Sequence, residues 1–184
     1  MSEIIEQISP AKLNLYLEIK GKREDNFHNI ESFMTFVNYG DLIKVSKSDA
    51  LSLRINGDFG KELSVSDNII IKAIKGLERI YEKKFDVNVI LSKNLPISSG
   101  MGGGSSNAAT VIRCIHKLYN IETHKRLDNF LVSIGADVPF CFYGRSAIVT
   151  GLGEKLEYLK HDFENYSVLL INPLKEISTE KIFE

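Results

Sequence analysis

Apolar and polar residues alternate in the segment KLNLYLEI, where Leu13, Leu15, Leu17 and Ile19 interleave with Lys12, Asn14, Tyr16 and Glu18. A period of two puts the aliphatic side chains on one face of a half-buried strand, with Lys12, Asn14 and Tyr16 on the other. GKREDN then reads as a turn and IESFMTFV as the returning strand. Tyr39-Gly40-Asp41 and Asn56-Gly57-Asp58 punctuate two shorter strands, LIKVS and LSLRI. Beyond them the period changes. Ile70, Ile74, Leu77 and Tyr81 recur at helical spacing behind Ser66 or Asp67 as cap, and residues 86–92 return to strand. Ala108, Val111, Ile112, Ile115, Leu118 and Tyr119 mark a second helix. Leu127, Phe130, Leu131 and Ile134 mark a third, capped by Thr123 and closed by Gly135. SAIVTG and YSVLLIN read as late strands, and STEKIFE as a helix beginning. Strands first and mixed elements later predict an α+β fold.

Length and charge narrow the function more than the fold. The chain has 184 residues, room for one domain or one and a fraction, and a net charge of −1. That balance gives no electrostatic case for nucleic acid or an anionic membrane as partner. The N-terminus, MSEIIEQISPAK, carries acids where a secretion signal has basic residues, and no apolar run follows. Cys114 and Cys141 form no metal-binding spacing. A reduced, cytoplasmic setting fits them.

The chemistry concentrates in LPISSGMGGGSSNAAT, where Gly100, Gly102, Gly103 and Gly104 sit between two serine pairs, after a strand and before a helix. The first N–H groups of a helix lack internal partners and lie at the positive end of its dipole. Glycines let backbone approach an oxyanion closely, and Ser105 and Ser106 add hydroxyls at the expected helix cap. The Walker pattern fails for want of a lysine after the glycines, and the dinucleotide fingerprint would need glycine at Ser105. Phosphate binding and a plain flexible loop both remain open on residue chemistry.

Two charged residues sit in apolar surroundings. Asp137, in GADVPF, reads first as the cap of a helix beginning at Pro139 and second as a catalytic base. Lys12 is an ordinary surface charge if its strand face meets solvent. If that face lines a cleft, Lys12 and Asn14 are neighbouring donors roughly 7 Å apart. Phe27-His28, beside the first turn, offers either a loop anchor or a stacking platform with a histidine that titrates near neutral pH.

PAKLNLYLEIKGKREDNFHNIESFM, LPISSGMGGGSSNAAT and GADVPFCFYG follow one another in that order, from about Ile8 onward. Together they resemble the successive N-terminal motifs of the GHMP kinases. The resemblance implies an N-terminal ATP-binding domain over residues 1–165, a mixed β-sheet with helices, in a fold also found in ribosomal proteins. Residues 166–184 would begin the connection to a C-terminal domain that this chain lacks, which leaves turnover by the chain alone an open question. The implied activity is ATP-dependent phosphorylation of a small-molecule alcohol, the 2-hydroxyl of 4-diphosphocytidyl-2-C-methyl-D-erythritol, in isoprenoid precursor synthesis. Carried over by motif, Pro96, Ile97, Ser98, Ser99, Gly100, Met101, Gly102, Gly103, Gly104, Ser105 and Ser106 would wrap the ATP phosphates. Asp137 would accept or orient the hydroxyl proton, with Lys12 as its partner. Asn14 and His28 would contact substrate, and Phe27 and Phe183 would sandwich the cytosine ring. Mg2+ would enter with ATP, near Ser106. Other readings stay open: a nucleotide-binding chain without turnover, or a GHMP kinase acting on another small alcohol.

Overall fold

The computed structural model describes residues 3–24, 28–160 and 165–174. Strands β1 (Ile4–Lys22), β2 (His28–Lys47) and β3 (Ser52–Asn56) lead into helix α1 (Ile69–Tyr81) and strand β4 (Val87–Ser92). Helices α2 (Gly103–Tyr119), α3 (Leu127–Ile134) and α4 (Val138–Tyr143) follow, then strands β5 (Ala147–Gly151) and β6 (Lys155–Tyr158). The sheet runs β3-β4-β2-β5-β6, with β1 paired along β2; the β3–β4 ladder is parallel and the others antiparallel. This is the expected α+β class, with a mixed sheet.

One apolar layer joins sheet and helices. Ile43, Val45, Val87, Val89 and Leu91 from the strands meet Ile70, Ala73, Ile74 and Leu77 of α1 and Ala108, Val111, Ile112 and Ile115 of α2. Helix α2 is central, packing on β1, β2, α1 and α4. No helix among the described residues is long and apolar enough to cross a membrane.

Several elements depart from the sequence pattern, each for a physical reason. Leu15, Leu17 and Ile19 are exposed rather than inward, while Lys12 is buried at 6% exposure. Register shifts at Pro10/Lys12, Asn14/Tyr16 and Ile19/Gly21 account for this, since each bulge resets the alternation of faces. Tyr39-Gly40-Asp41 does not end a strand; β2 runs straight through it. Gly40 is needed there because the Ser9 carbonyl oxygen lies 2.0 Å from where a Cβ would stand. Asn68, not Ser66 or Asp67, caps α1, its Oδ1 accepting from the Ile70 N–H at 3.0 Å. Helix α3 begins after Arg126 rather than Thr123, and Gly102, ahead of both serines, caps α2. YSVLLIN forms no strand: Val168, Leu169 and Ile171 lie exposed, without the partner edge and core contact a strand needs. The helix expected over 178–184 lies outside the described residues, as do Phe27 and Phe183.

His116 gives this core a pH dependence. Its Nε2 stands 3.3 Å from the Tyr81 hydroxyl, and its ring packs edge-on against Tyr81 and Phe142. Burial holds the imidazole below its usual 6.5. The unfolded chain therefore binds the proton more readily, so this stabilisation is complete above about pH 6.5 and lost as pH falls through the depressed value. Thermal melts should show the midpoint dropping from about pH 7 to about pH 5, with His116→Gln removing part of that slope. Identical slopes in the two proteins would contradict this.

Candidate active site

Strand β4 delivers the chain to Lys93–Leu95, and the segment from Pro96 to Gly102 then leads into α2. The turn is built from left-handed residues: Ser98 at φ 52°, Gly100 at φ 74° and Gly102 at φ 63°. The first helical hydrogen bond runs from the Ser106 N–H to the Gly102 carbonyl at 2.8 Å. The N–H groups of Gly103, Gly104 and Ser105 therefore stand at the open, positive end of α2. Between this segment and the start of α1 lies a cavity of about 420 Å³, lined by the loop and by Ser64, Asp67, Asn68, Lys93, Ser105 and Asn107. A helix N-terminus, glycine backbone and hydroxyls facing one concavity suit a polyphosphate.

Lys12 and Asp137 meet at the exit of the loop. Lys12 Nζ is 3.3 Å from Asp137 Oδ2, with the lysine side chain 7% and the aspartate 29% exposed. The Lys12 backbone N–H also donates to the Met101 carbonyl at 2.9 Å, tying β1 to the loop. A Cβ on Gly102 would lie 3.2 Å from Lys12 Cε and 3.7 Å from Asp137 Oδ2. Loop, lysine and carboxylate thus converge within contact distance. Asp137 occupies the N-cap position of α4 by backbone, but its side chain makes no capping hydrogen bond. The cap reading fails because the carboxylate turns to the buried ammonium instead.

Helix α4 is held in place by Arg113 of α2, whose Nη1 donates to the carbonyls of Cys141 at 2.5 Å and Phe142 at 3.1 Å. Those carbonyls, near the C-terminal end of a short helix, suit a cation. Burial first, and the Asp137 charge second, push the Cys141 thiol up to about 12. It stays protonated at neutral pH and offers no nucleophile.

Asn14 is beside the pair, but not as a free donor. Its Oδ1 accepts from Lys12 Nζ at 2.8 Å and its Nδ2 donates to Ser32 Oγ at 2.7 Å, while Ser32 Oγ donates to the Tyr16 carbonyl at 2.6 Å. His28 is elsewhere: it pairs with Lys22 across the hairpin, whereas Lys12 pairs with Phe36. Eight residues of β2 separate those positions, roughly 26 Å along a strand. Ser106 departs from expectation too. It is 1% exposed and accepts a hydrogen bond from Ser9 Oγ at 2.9 Å, so Ser105 rather than Ser106 lines the cavity. Among the described residues no cluster of three or more His, Cys, Asp or Glu is placed to hold a metal ion.

Sequence reasoning missed Ser9, Ser32, Asp41 and Lys93. Asp41 and Lys93 form a buried ion pair at 2.8 Å beneath the loop. A signal existed: Lys93 falls on the inward positions of the alternation Val87, Val89, Leu91 and Leu95, and Asp41 directly precedes the apolar pair Leu42-Ile43.

Gly102→Ala tests the convergence. A left-handed alanine costs about 1–2 kcal/mol, and its methyl would press on Lys12. Chemical unfolding should show a loss of that size, and an unchanged midpoint would contradict the geometry.

The model of the GHMP kinases N terminal domain matches residues 68–145. The chain is 40% identical over 179 residues to the 4-diphosphocytidyl-2-C-methyl-D-erythritol kinase of Pseudoalteromonas translucida (strain TAC 125), covering 96% of this chain and 61% of that protein. It is 37% identical over 182 residues to the enzyme of the same name from Chelativorans sp. (strain BNC1), covering 97% and 62%. The chain thus spans about three fifths of the length of these curated relatives. A crystal structure of 4-(cytidine 5'-diphospho)-2C-methyl-D-erythritol kinase superposes with a TM-score of 0.70 at 32% identity, over 84% of this chain and 55% of that one. Homoserine kinase from Cytophaga hutchinsonii superposes with a TM-score of 0.61 at 20% identity over 87% and 52%, a likeness of fold alone. With its glycine segment, mixed sheet and matched residues, this chain carries the N-terminal domain of the GHMP kinases over residues 68–145.

Proposed function

We propose that the chain supplies the nucleotide-binding and phosphoryl-transfer residues of an ATP-dependent kinase acting on the 2-hydroxyl of 4-diphosphocytidyl-2-C-methyl-D-erythritol. The observation that carries this reading is the position of the Lys12–Asp137 pair at the open end of α2, both side chains lying within 4 Å of where a Cβ on Gly102 would stand. It supports the reading because a backbone suited to phosphate then lies beside a carboxylate and a cation. The relatives that bear the substrate's name support this choice of substrate.

In this reading the residues Pro96–Ser105 enclose the triphosphate, and the N–H groups of Gly103, Gly104 and Ser105 face its oxygens. Asp137 takes the proton of the substrate hydroxyl. The hydroxyl oxygen forms its bond to the γ-phosphorus as the bond from that phosphorus to the β,γ-bridging oxygen breaks, and ADP leaves with the electron pair. Lys12 holds Asp137 in place and offsets negative charge gathering between acceptor and donor. Because a paired carboxylate is a weaker base, orientation contributes as much as proton abstraction. Asn14, fixed by Ser32, sets the direction of the Lys12 ammonium. His28, Phe27 and Phe183 are assigned to the cytidyl end of the substrate. Mg2+ belongs with the triphosphate, whose charge it partly neutralises; no carboxylate cluster of the protein is required to hold it.

Turnover tests the reading. The chain is incubated with Mg-ATP and the cytidyl substrate, and ADP and phosphorylated product are followed by mass. Product is expected. Absence of both product and ATP binding overturns the proposal. Product from homoserine or another alcohol, and none from the cytidyl substrate, transfers it to a different GHMP acceptor. ATP binding without product on any alcohol favours a binding role alone.

A further inference from the structure

The glycine segment does not hold its own shape. Its alternating left-handed residues carry no internal ladder, and among the described residues its backbone–backbone hydrogen bonds lie at its exit: Lys12 N–H to Met101 and Ser106 N–H to Gly102. The entrance is held differently, by one carboxylate. Asp41 Oδ1 accepts the N–H groups of Asn94 at 2.7 Å and Leu95 at 2.8 Å, the residues just before Pro96. Asp41 Oδ2 accepts from Lys93 Nζ at 2.8 Å and from Asn107 Nδ2 of α2 at 2.9 Å. Lys93 Nζ also donates to the Leu95 carbonyl at 2.8 Å, and Asn94 Nδ2 to the Gly40 carbonyl at 2.9 Å. A single side chain of β2 therefore binds both the strand end before the loop and the helix after it.

The arrangement is costly for stability alone. The side chains of Asp41 and Lys93 are 0% and 5% exposed, and a buried ion pair seldom outperforms an apolar pair of similar volume. Asn107 must turn Nδ2 toward the carboxylate, and its Oδ1 is buried with no hydrogen-bond partner among the described residues. What the network does secure is position. Lys93 Nζ lies 3.2 Å from where a Cβ on Gly103 would stand, directly under the first residue of α2, and both Lys93 and Asn107 line the cavity.

We propose that Asp41 and Lys93 are positioning residues whose buried ion pair fixes the glycine segment in its nucleotide-receiving shape and thereby sets nucleotide affinity. The inference rests on the reading of that segment as a nucleotide phosphate site. A loop ordered before binding loses less conformational freedom when the ligand arrives, so loosening its entrance weakens binding. Lys93→Met also removes one positive charge beside the cavity, so a series of salt concentrations separates the positional effect from a charge effect.

The test is calorimetric titration of Mg-ATP into the unaltered chain and into Lys93→Met, with chemical unfolding of both. The expected result is a folded variant whose affinity is about tenfold weaker. That loss should persist from low to high salt, since screening removes a long-range charge effect but not a positional one. Affinity within twofold of the unaltered chain, alongside a lowered unfolding midpoint, overturns the inference and leaves a structural pair. A loss that disappears at high salt also overturns it. Should Lys93→Met not fold, Asn107→Ala keeps the ion pair and releases only the α2 arm; several-fold weaker binding is expected, and unchanged binding overturns the proposal. No binding by the unaltered chain overturns the nucleotide reading itself, whereas binding without the predicted loss overturns this inference alone.

Discussion

Asp137→Asn is expected to lower phosphoryl transfer about 1,000-fold, the scale set by loss of a general base and its charge. Mg-ATP affinity should stay within about twofold, because the binding energy comes from the glycine segment and α2. The substitution keeps the shape of the side chain and its acceptor oxygen toward Lys12, so the 3.3 Å contact can persist as a hydrogen bond. The amide cannot take the substrate proton. Helix α4 should survive, since the Asp137 side chain makes no capping hydrogen bond and the backbone link from the Cys141 N–H to the Asp137 carbonyl at 3.0 Å is untouched. Single-turnover kinetics with parallel calorimetry check this. Activity within tenfold of the unaltered protein would remove Asp137 from the chemistry.

Lys12→Met is the second large effect, about 100- to 1,000-fold in turnover. Its physical basis differs. Methionine matches the lysine stem and preserves the backbone link to Met101, but removes the ammonium that holds both Asp137 and Asn14. Asp137 is partly exposed and can be hydrated, so no fully buried carboxylate is stranded. Stability should change little, because removing a buried ammonium offsets losing the ion pair. Thermal melts within a few degrees of the unaltered protein, with turnover lost, would match. A collapse in stability with turnover of the folded fraction intact would make Lys12 a structural residue.

Both predictions concern groups whose proximity the sequence only partly reveals. The helices were legible because Ile70, Ile74 and Leu77, and Val111, Ile112 and Ile115, repeat at a spacing that one buried face requires. The strand before the glycines was legible for the same kind of reason, and the glycine excess announced a loop where backbone is approached closely. The path of β1 was not. Its bulges shift register three times, and a bulge leaves no mark in a pattern of alternation. Hence Leu15 and Leu17 are exposed, and Lys12 is buried. The run of β2 through Gly40 was hidden because a glycine admitting the Ser9 carbonyl looks in sequence like one making a turn. Contacts between distant segments were least accessible. Ser9 and Ser106 are 97 positions apart, and Asp41 and Asn107 are 66. The meeting of Lys12 with Asp137 followed from family resemblance, while residue chemistry alone favoured a helix cap.

The central claim is that the open end of α2 and the segment before it receive the nucleotide phosphates beside Lys12 and Asp137. Amide chemical shifts of the isotopically labelled chain, followed as Mg-ATP is added, test it most directly. The account predicts saturable shifts largest at Gly100–Ser105, extending to Lys12 and Asp137 and small at the distant His28 end of the hairpin. Shifts clustered elsewhere, or no saturable response from Gly102, Gly103 and Gly104, would contradict it.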